Sequence, residues 1–446
     1  MRRKIAILIL TLICTAFATA QTISLEEVRT LALLNSRTLL KANLNLQNLA
    51  LTDKSRNYTY LPSLSLGASA SMNLWNTNGS PPVSNPFDTF NAGASASISE
   101  SITFQSGRGL IDKAINEITS ESARKDAQAE YFNVLDSVDS AYYAVLEAMA
   151  TLEAEEQSLV SSIASLTMAE IRQSSGMLSA GDYLKALADK ESRENSRNQA
   201  RRSLNLAITK LKALTGQSQM PEPEQIDFSG YSSLINRLGS IPDDEADLIY
   251  GNFLNLVFQS NPSYIKAGLA DQRAEKNLTM AKLGFAPTLS ASFSTGMNYT
   301  LKNGFELSAG RLALTLNIPM DFWALANNVE KSQISRESAA LDFISTEIQL
   351  ATDVQSAMIN IIGNAESVLS GRRSLEYAEK HYEYVMERYR LSQSSVTELG
   401  DASSVLISSR NSLIRAQYGF LQSLSRLRSL AAIADEERLV DLLMGK

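Results

Sequence analysis

The chain has 446 residues, 44% of them hydrophobic and 20% charged, with 41 Lys and Arg against 48 Asp and Glu for a formal net charge of −7. This balance builds apolar cores rather than an extended disordered chain. No segment is strongly basic, so nucleic acid is not an expected partner.

The first residues place Arg2, Arg3 and Lys4 before an apolar run from Ile5 to about Ile13, then Ala18-Thr19-Ala20 before Gln21. That is the plan of a cleavable secretory signal, and export with cleavage after Ala20 is expected. Ile13 is too large to precede a lipoprotein cysteine, so lipidation at Cys14 is not expected. Cleavage would remove three basic residues, leaving 38 against 48, or −10, and would remove the sole cysteine. Disulfides, thiol chemistry and zinc–thiolate sites are then excluded. No later run reaches the roughly 18 to 20 apolar residues of a membrane helix.

In chain order, a helix is expected from Ser24 to Thr59. Next come two alternating segments, 64–74 and 90–104; in the second, Glu100 breaks an otherwise apolar parity. Leu110 to Gln173 contains neither proline nor glycine, and its apolar residues recur three and four apart (Leu135, Val138, Ala141, Tyr142, Val145, Leu146, Met149). One helix of roughly 90 to 100 Å is predicted. A turn at Gly176-Met177-Leu178-Ser179 leads to a second helix ending near Leu214, with Gly216 as its C′ residue. Residues 217–242 read as a proline-punctuated connector. Asp243, in the acidic run Pro242 to Asp247, is expected to cap a helix reaching Leu283. Alternating segments follow at 289–299 and 312–320, then a long helix from Asn327 to about Ser392 broken at Gly363 and Gly371. A turn and a last helix, Ala402 to Leu430, complete the chain.

A shift of 216 residues superposes Asp182 on Glu398, Asn195 on Asn411, Ala200 on Ala416, and Lys210-Leu211-Lys212 on Arg426-Leu427-Arg428. The chain is therefore read as a duplication. After the signal 1–20, the first repeat is 21–216, the connector 217–242, and the second repeat 243–446. The fold class expected is mainly α with membrane β: long α-helical hairpins plus four strands per chain, each near the roughly 9 to 11 residues that cross a bilayer tilted. Soluble hairpins capping a bundle are the alternative use of such strands. If the strands span, four cannot close a barrel, and open edges in hydrocarbon are prohibitive. Copies of the chain must then combine, in a number the residues do not select.

This order resembles the TolC-like family of outer-membrane efflux proteins over essentially the whole mature chain. The resemblance rests also on ISLEEVRTLALLNSRTL, on the junctions Tyr60-Leu61-Pro62-Ser63-Leu64 and Phe285-Ala286-Pro287-Thr288-Leu289, and on the turns Gly176 to Asp182 and Tyr389 to Asp401. It implies a homotrimer with a 12-stranded barrel in outer-membrane lipid and a periplasmic α-helical barrel. The implied duct serves a periplasmic adaptor and an inner-membrane RND, ABC or MFS transporter, with a type I secretion outlet as the alternative. No enzyme activity, metal or cofactor is implied. A periplasmic coiled-coil adaptor is the rival from another class, but it would have one hairpin and lack the paired strands.

The resemblance also assigns sites. Asp182, Glu398 and Asp401 would form carboxylate rings at the periplasmic entrance, although helix-dipole acids in a first turn are the plainer reading. Tyr389 matches a position whose hydrogen bonds help hold the entrance shut, or it is packing. Adaptor docking would fall on Gly176, Met177, Leu178, Ser179, Ser395, Val396 and Thr397, where a tight turn would also suffice. The chain departs from the family at Ser392, where glycine is usual, and at Ser394, where some members carry a basic latch. His381, the sole histidine, has no second metal ligand at helical spacing except Glu and Tyr, so a structural role is expected.

Overall fold

The computed structural model describes residues 22–58, 61, 63–71, 90–104, 107–300 and 304–445. The expected signal, Cys14 and residues 72–74 of the first expected strand lie outside them. The chain divides into two compact units, one comprising Met1–Ala42, Lys125–Ile265 and Thr346–Lys446, the other Asn43–Arg124 and Lys266–Ser345.

The elements in chain order are α1 (Leu25–Asn35), α2 (Arg37–Tyr58), β1 (Ser63–Ser71), β2 (Asn91–Phe104), α3 (Arg108–Ser174), α4 (Ala180–Thr215), α5 (Ser232–Leu238), α6 (Asp243–Ser260), α7 (Pro262–Leu283), β3 (Thr288–Thr300), β4 (Gly304–Asn317), α8 (Phe322–Arg390), α9 (Val396–Ala431) and α10 (Glu436–Leu443). Helix, strand, strand, long helix, shorter helix therefore occurs twice in the same order. Among the described residues no helix is long and apolar enough to cross a membrane.

The second unit holds one antiparallel sheet in the order β1-β2-β3-β4. Its fourth strand corrects the expected 312–320: β4 begins eight residues earlier and stops before Pro319. The cause is a bulge. Ser294 pairs with Arg311 but Gly296 with Ser308, so one residue of β3 faces two of β4. The apolar alternation of Phe305 and Leu307 thus changes phase before it resumes at Leu312, Leu314 and Leu316, and a strict period of two misses the first half. Ile318 and Met320 lie beyond the strand.

The first unit is helical. α3 and α8 contain 67 and 69 residues. α8 runs unbroken through Gly363 and Gly371. A helical glycine costs about 1 kcal/mol, and the burial of Ile361, Ala365 and Val368 around Gly363 offsets it. The core joins these side chains to Tyr142, Val145 and Leu146 of α3, Phe253 and Val257 of α6, and Phe420, Leu424 and Leu427 of α9. The connector contributes too: Leu234, Ile235 and Leu238 of α5 are buried there, and the Tyr142 hydroxyl lies 3.1 Å from the Ile23 carbonyl and 3.0 Å from that of Glu224.

Two expected helices are each split. α1 stops before Ser36 and α6 before Asn261. Beside each break an asparagine amide caps the far end of a hairpin: Asn35 donates to the Thr215 carbonyl at 2.8 Å, and Asn261 to the Leu430 carbonyl at 2.9 Å. These satisfy carbonyls that a helix end leaves unpaired. Asp243 is the first helical residue rather than the cap; Pro242 occupies that position without a side-chain bond.

At the centre of this unit Asp139 is fully buried. It accepts from Arg29 Nε and Nη2 at 2.7 and 2.8 Å, from Ser425 Oγ at 2.7 Å, and from Arg428. One carboxylate thus ties α1, α3 and α9.

Candidate functional sites in the sheet and at the hairpin turns

Cross-strand partners share a face. Leu66–Ala96–Met297–Leu307 is one row and Ile102–Ala291–Leu314 another, and between them lies Glu100–Phe293–Leu312. Leu64, Leu66, Leu307, Leu312 and Leu314 are 69 to 82% exposed. The opposite face carries Ser65, Gly67, Ser95, Ser97, Ser292, Gly296 and Thr315. Ser65 and Ser97 join hydroxyls at 2.6 Å across this face. At one end of the sheet the Tyr299 and Phe305 rings meet at a tilt of 50° with centroids 4.7 Å apart, and at the other Phe104, Phe322 and Trp323 are exposed. An apolar band between two aromatic girdles is the lipid-facing design of a membrane strand. Among the described residues β1 and β4 each pair on one side only.

The hairpin turns are built alike. After α3 the chain enters the left-handed region at Gly176, with φ 72°. The Met177 N–H returns to the Arg172 carbonyl at 2.8 Å. Ser179 then caps α4, accepting from the Asp182 N–H at 3.1 Å and donating to its carboxylate at 2.8 Å. After α8, Ser392 takes the same conformation at φ 62°, and the Gln393 N–H returns to Arg388 at 2.8 Å. Ser395 caps α9, accepting from Glu398 N–H at 3.1 Å. Asp182 and Glu398 are therefore equivalent third residues of capped helices, where the helix dipole favours a negative charge.

Glu398 is further engaged. Ser394 Oγ donates to it at 2.7 Å and Arg388 at 3.0 Å. The Ser394 hydroxyl is the leading cause that holds its carboxyl below the usual range, ahead of the Arg388 charge. Arg388 also donates to the Gln393 carbonyl at 2.8 Å. Asp401, one turn on, is exposed.

Three contacts join the two hairpins near these turns. The Arg172 guanidinium lies 4.3 Å from the Tyr389 ring centroid and donates to the carbonyls of Tyr389 and, at 3.2 Å, Arg390. Lys185 donates to Thr397 at 2.7 Å, and Arg193 to Ser404 at 2.7 Å. Arg172 was not singled out by the sequence, since a lone arginine near a helix end is commonplace.

Tyr389 is 1% exposed in a small core with Ala169, Ala186, Val385 and Leu399. Its buried hydroxyl has no hydrogen-bond partner among the described residues, and the hydrogen bond that joins Tyr389 to the other hairpin is the one its carbonyl accepts from Arg172. Burial is the leading cause that raises its pKa; the nearby Asp182 charge adds to this and Arg172 opposes it. Val396, expected at a docking surface, belongs to the same core at 8% exposure. Met177, at 70%, is the large apolar side chain this turn presents, beside exposed Gly176 and Ser179; Leu178 and Thr397 are half-buried and Ser395 exposed. A cavity of about 140 Å³, lined by Lys185, Asp189, Tyr389, Thr397 and Asp401, lies between the hairpins. Among the described residues no group of three or more His, Cys, Asp or Glu is placed to hold a metal ion.

The sequence profile described as "Outer membrane efflux protein" matches residues 28–217 and 253–432. The chain belongs to this family. Membership makes it an outer-membrane protein with a periplasmic helical part, and the family's proteins are channels rather than enzymes. The chain is 20% identical over 326 residues to the outer membrane protein TolC of Escherichia coli (strain K12), covering 70% of this chain and 62% of that protein. In structure it is similar to the CmeC outer membrane channel of Campylobacter jejuni, with a TM-score of 0.73 at 16% identity over 93% of this chain and 88% of that one. VceC of Vibrio cholerae gives 0.72 at 16% identity over 92% and 96%. These likenesses establish the TolC-like channel fold of this family member.

Proposed function

We propose that the chain is the outer-membrane exit duct of a tripartite efflux pump, working as a homotrimer in which three four-stranded sheets close a 12-stranded barrel. The observation that carries this reading is the sheet itself: an exposed apolar face between aromatic girdles, with an edge open on each side. In hydrocarbon those edges must pair with other copies, because each unsatisfied backbone group costs several kcal/mol. The repeats 21–216 and 243–446 each supply two strands and one helical hairpin, and the hairpins continue the duct into the periplasm. There the turns face an adaptor, which receives substrate from an inner-membrane RND, ABC or MFS transporter. Transport through the duct is passive.

In the trimer Asp401 and Asp182 ring the entrance. Glu398 stays ionised, but the paired Arg388 offsets its charge. Met177, with Gly176, Leu178, Ser179, Ser395 and Thr397, forms the adaptor surface. The test is the purified full chain in a planar bilayer: it forms channels, migrates as a heat-dissociable oligomer, and loses divalent-cation block when Asp401→Asn is combined with Glu398→Gln. A protein that forms no channel is not a duct, and unchanged block in the double variant would remove the carboxylates from the entrance.

A further inference from the structure

We infer that Arg311 and Glu306 form two rings of opposite charge, in series inside the barrel lumen, that set its ion selectivity. The inference rests on the trimeric duct reading and deepens it. The polar face of the sheet is made almost wholly of Ser, Gly, Thr, Asn and Ala. On that face, among the described strand residues, two charges occur: Arg311, paired with Ser294, and Glu306, paired with Asn298. The third charged strand residue, Glu100, sits on the apolar parity opposite Phe293.

The bulge is what brings the pair together on one face. Under strict alternation Glu306 would share the parity of Leu312, Leu314 and Leu316 and would point its carboxylate into lipid. The extra residue near Ala309 and Gly310 returns Glu306 to the side of Arg311, while Phe305 and Leu307 keep the lipid side. A bulge that re-aims a charge at a pore is a functional use of the device.

Their spacing makes them separate. Asn298 and Ser294 are four residues apart on β3, or about 13 Å along the strand. With barrel strands tilted 35 to 45°, that is roughly 10 Å along the axis. Glu306 lies two residues from Gly304, at the turn end of the hairpin, and Arg311 lies nearer the helices. Three copies give a ring of three carboxylates followed by a ring of three guanidiniums, surrounded by side chains too short to screen them. At 0.1 M salt the screening length, about 10 Å, matches the separation, so each ring acts on passing ions. At lower salt the two fields overlap and oppose each other.

The test is the reversal potential of single channels of the full chain under a KCl gradient. Arg311→Ser leaves the Glu306 ring uncompensated and shifts the K⁺ to Cl⁻ permeability ratio upward, by roughly twofold and more at lower salt. Glu306→Gln shifts it the opposite way, and the double variant returns toward the wild-type value. Arg311→Gln, closer to arginine in length, gives the same readout if Arg311→Ser does not assemble. Variants that migrate as wild-type oligomers and conduct with an unchanged ratio, or two single variants shifting it in the same direction, would overturn the inference and leave the duct intact. A wild-type chain without conductance would overturn both.

Discussion

Replacing Asp139 by asparagine should release α1 from the helical unit. The carboxylate has no exposure and receives four donors: two from Arg29, one from Ser425 and one from Arg428. Asparagine keeps the shape but removes the charge, and turns one acceptor oxygen into an NH₂ that faces donors. Two largely buried guanidiniums, with side-chain exposures of 9% and 4%, then lose the counter-charge they share, and Arg29 keeps only the exposed Glu26. Removing one partner from a buried ion pair costs about 3 to 5 kcal/mol. At 1.4 kcal/mol per tenfold, amide protection in α1 should fall on the order of a hundredfold or more. The assay is hydrogen exchange of the detergent-solubilised chain read by peptide, with α1 (Leu25–Asn35) and the upper part of α9 as reporters and the turn peptides as internal controls. Simultaneous replacement of Arg29, Asp139 and Arg428 by leucine or methionine should restore much of the loss, because an apolar triad carries no desolvation penalty. Protection in α1 unchanged by Asp139→Asn would show that the carboxylate does not anchor that helix.

Ser392→Gly removes a left-handed side chain at φ 62° and should raise protection of the second turn by about 1 kcal/mol. Glu398 has a depressed pKa, so its contribution is present above the unfolded carboxylate value and is lost as pH falls through the lower folded value. Exchange in 391–399 should accelerate in that acid window, and Ser394→Ala should move the window upward. Gly239→Ala would put a Cβ 2.6 Å from the Leu369 side chain and 3.1 Å from the Ala365 backbone, so α5 and α8 must part at a cost of about 1 to 3 kcal/mol; an unchanged dissociation temperature would show that α5 yields freely. Arg172→Ala removes the guanidinium from Tyr389 and should lengthen open times of single channels without changing their ion selectivity.

The long helices were legible because 64 residues without glycine or proline admit little else, and because the same plan recurs after a 216-residue shift. Strand identity was legible from alternation, but the extent of β4 was not: the bulge at Ser294/Gly296 inverts the parity that a sequence reading follows. α5 and α10, of seven and eight residues, are too short for helical periodicity, and their burial is set by partners distant in sequence. The same holds for Asn35, Asn261 and Asp139. Each acts through a contact more than a hundred residues away. At the turns, the sequence placed Asp182 and Glu398 in the first turns of helices, but it read Ser179 and Ser395 as docking positions, whereas they cap α4 and α9. It did not announce that Arg388 would engage Glu398, or that Val396 would turn inward, because both depend on how α8 and α9 pack.

The central claim is that copies of this chain complete the sheet, and edge-to-edge crosslinking tests it most directly. β1 and β4 sit at opposite edges of the sheet, about 14 Å apart, beyond the reach of a disulfide. Cysteine pairs placed at Ser65 or Ser69 of β1 and across Ala313 to Thr315 of β4, in a chain whose one native cysteine, Cys14, is replaced by serine, can therefore bridge only between copies. Oxidation in membranes should give a ladder that ends at a covalent trimer. Chains that stay monomeric at every pairing, or a ladder that continues past three, would contradict the account.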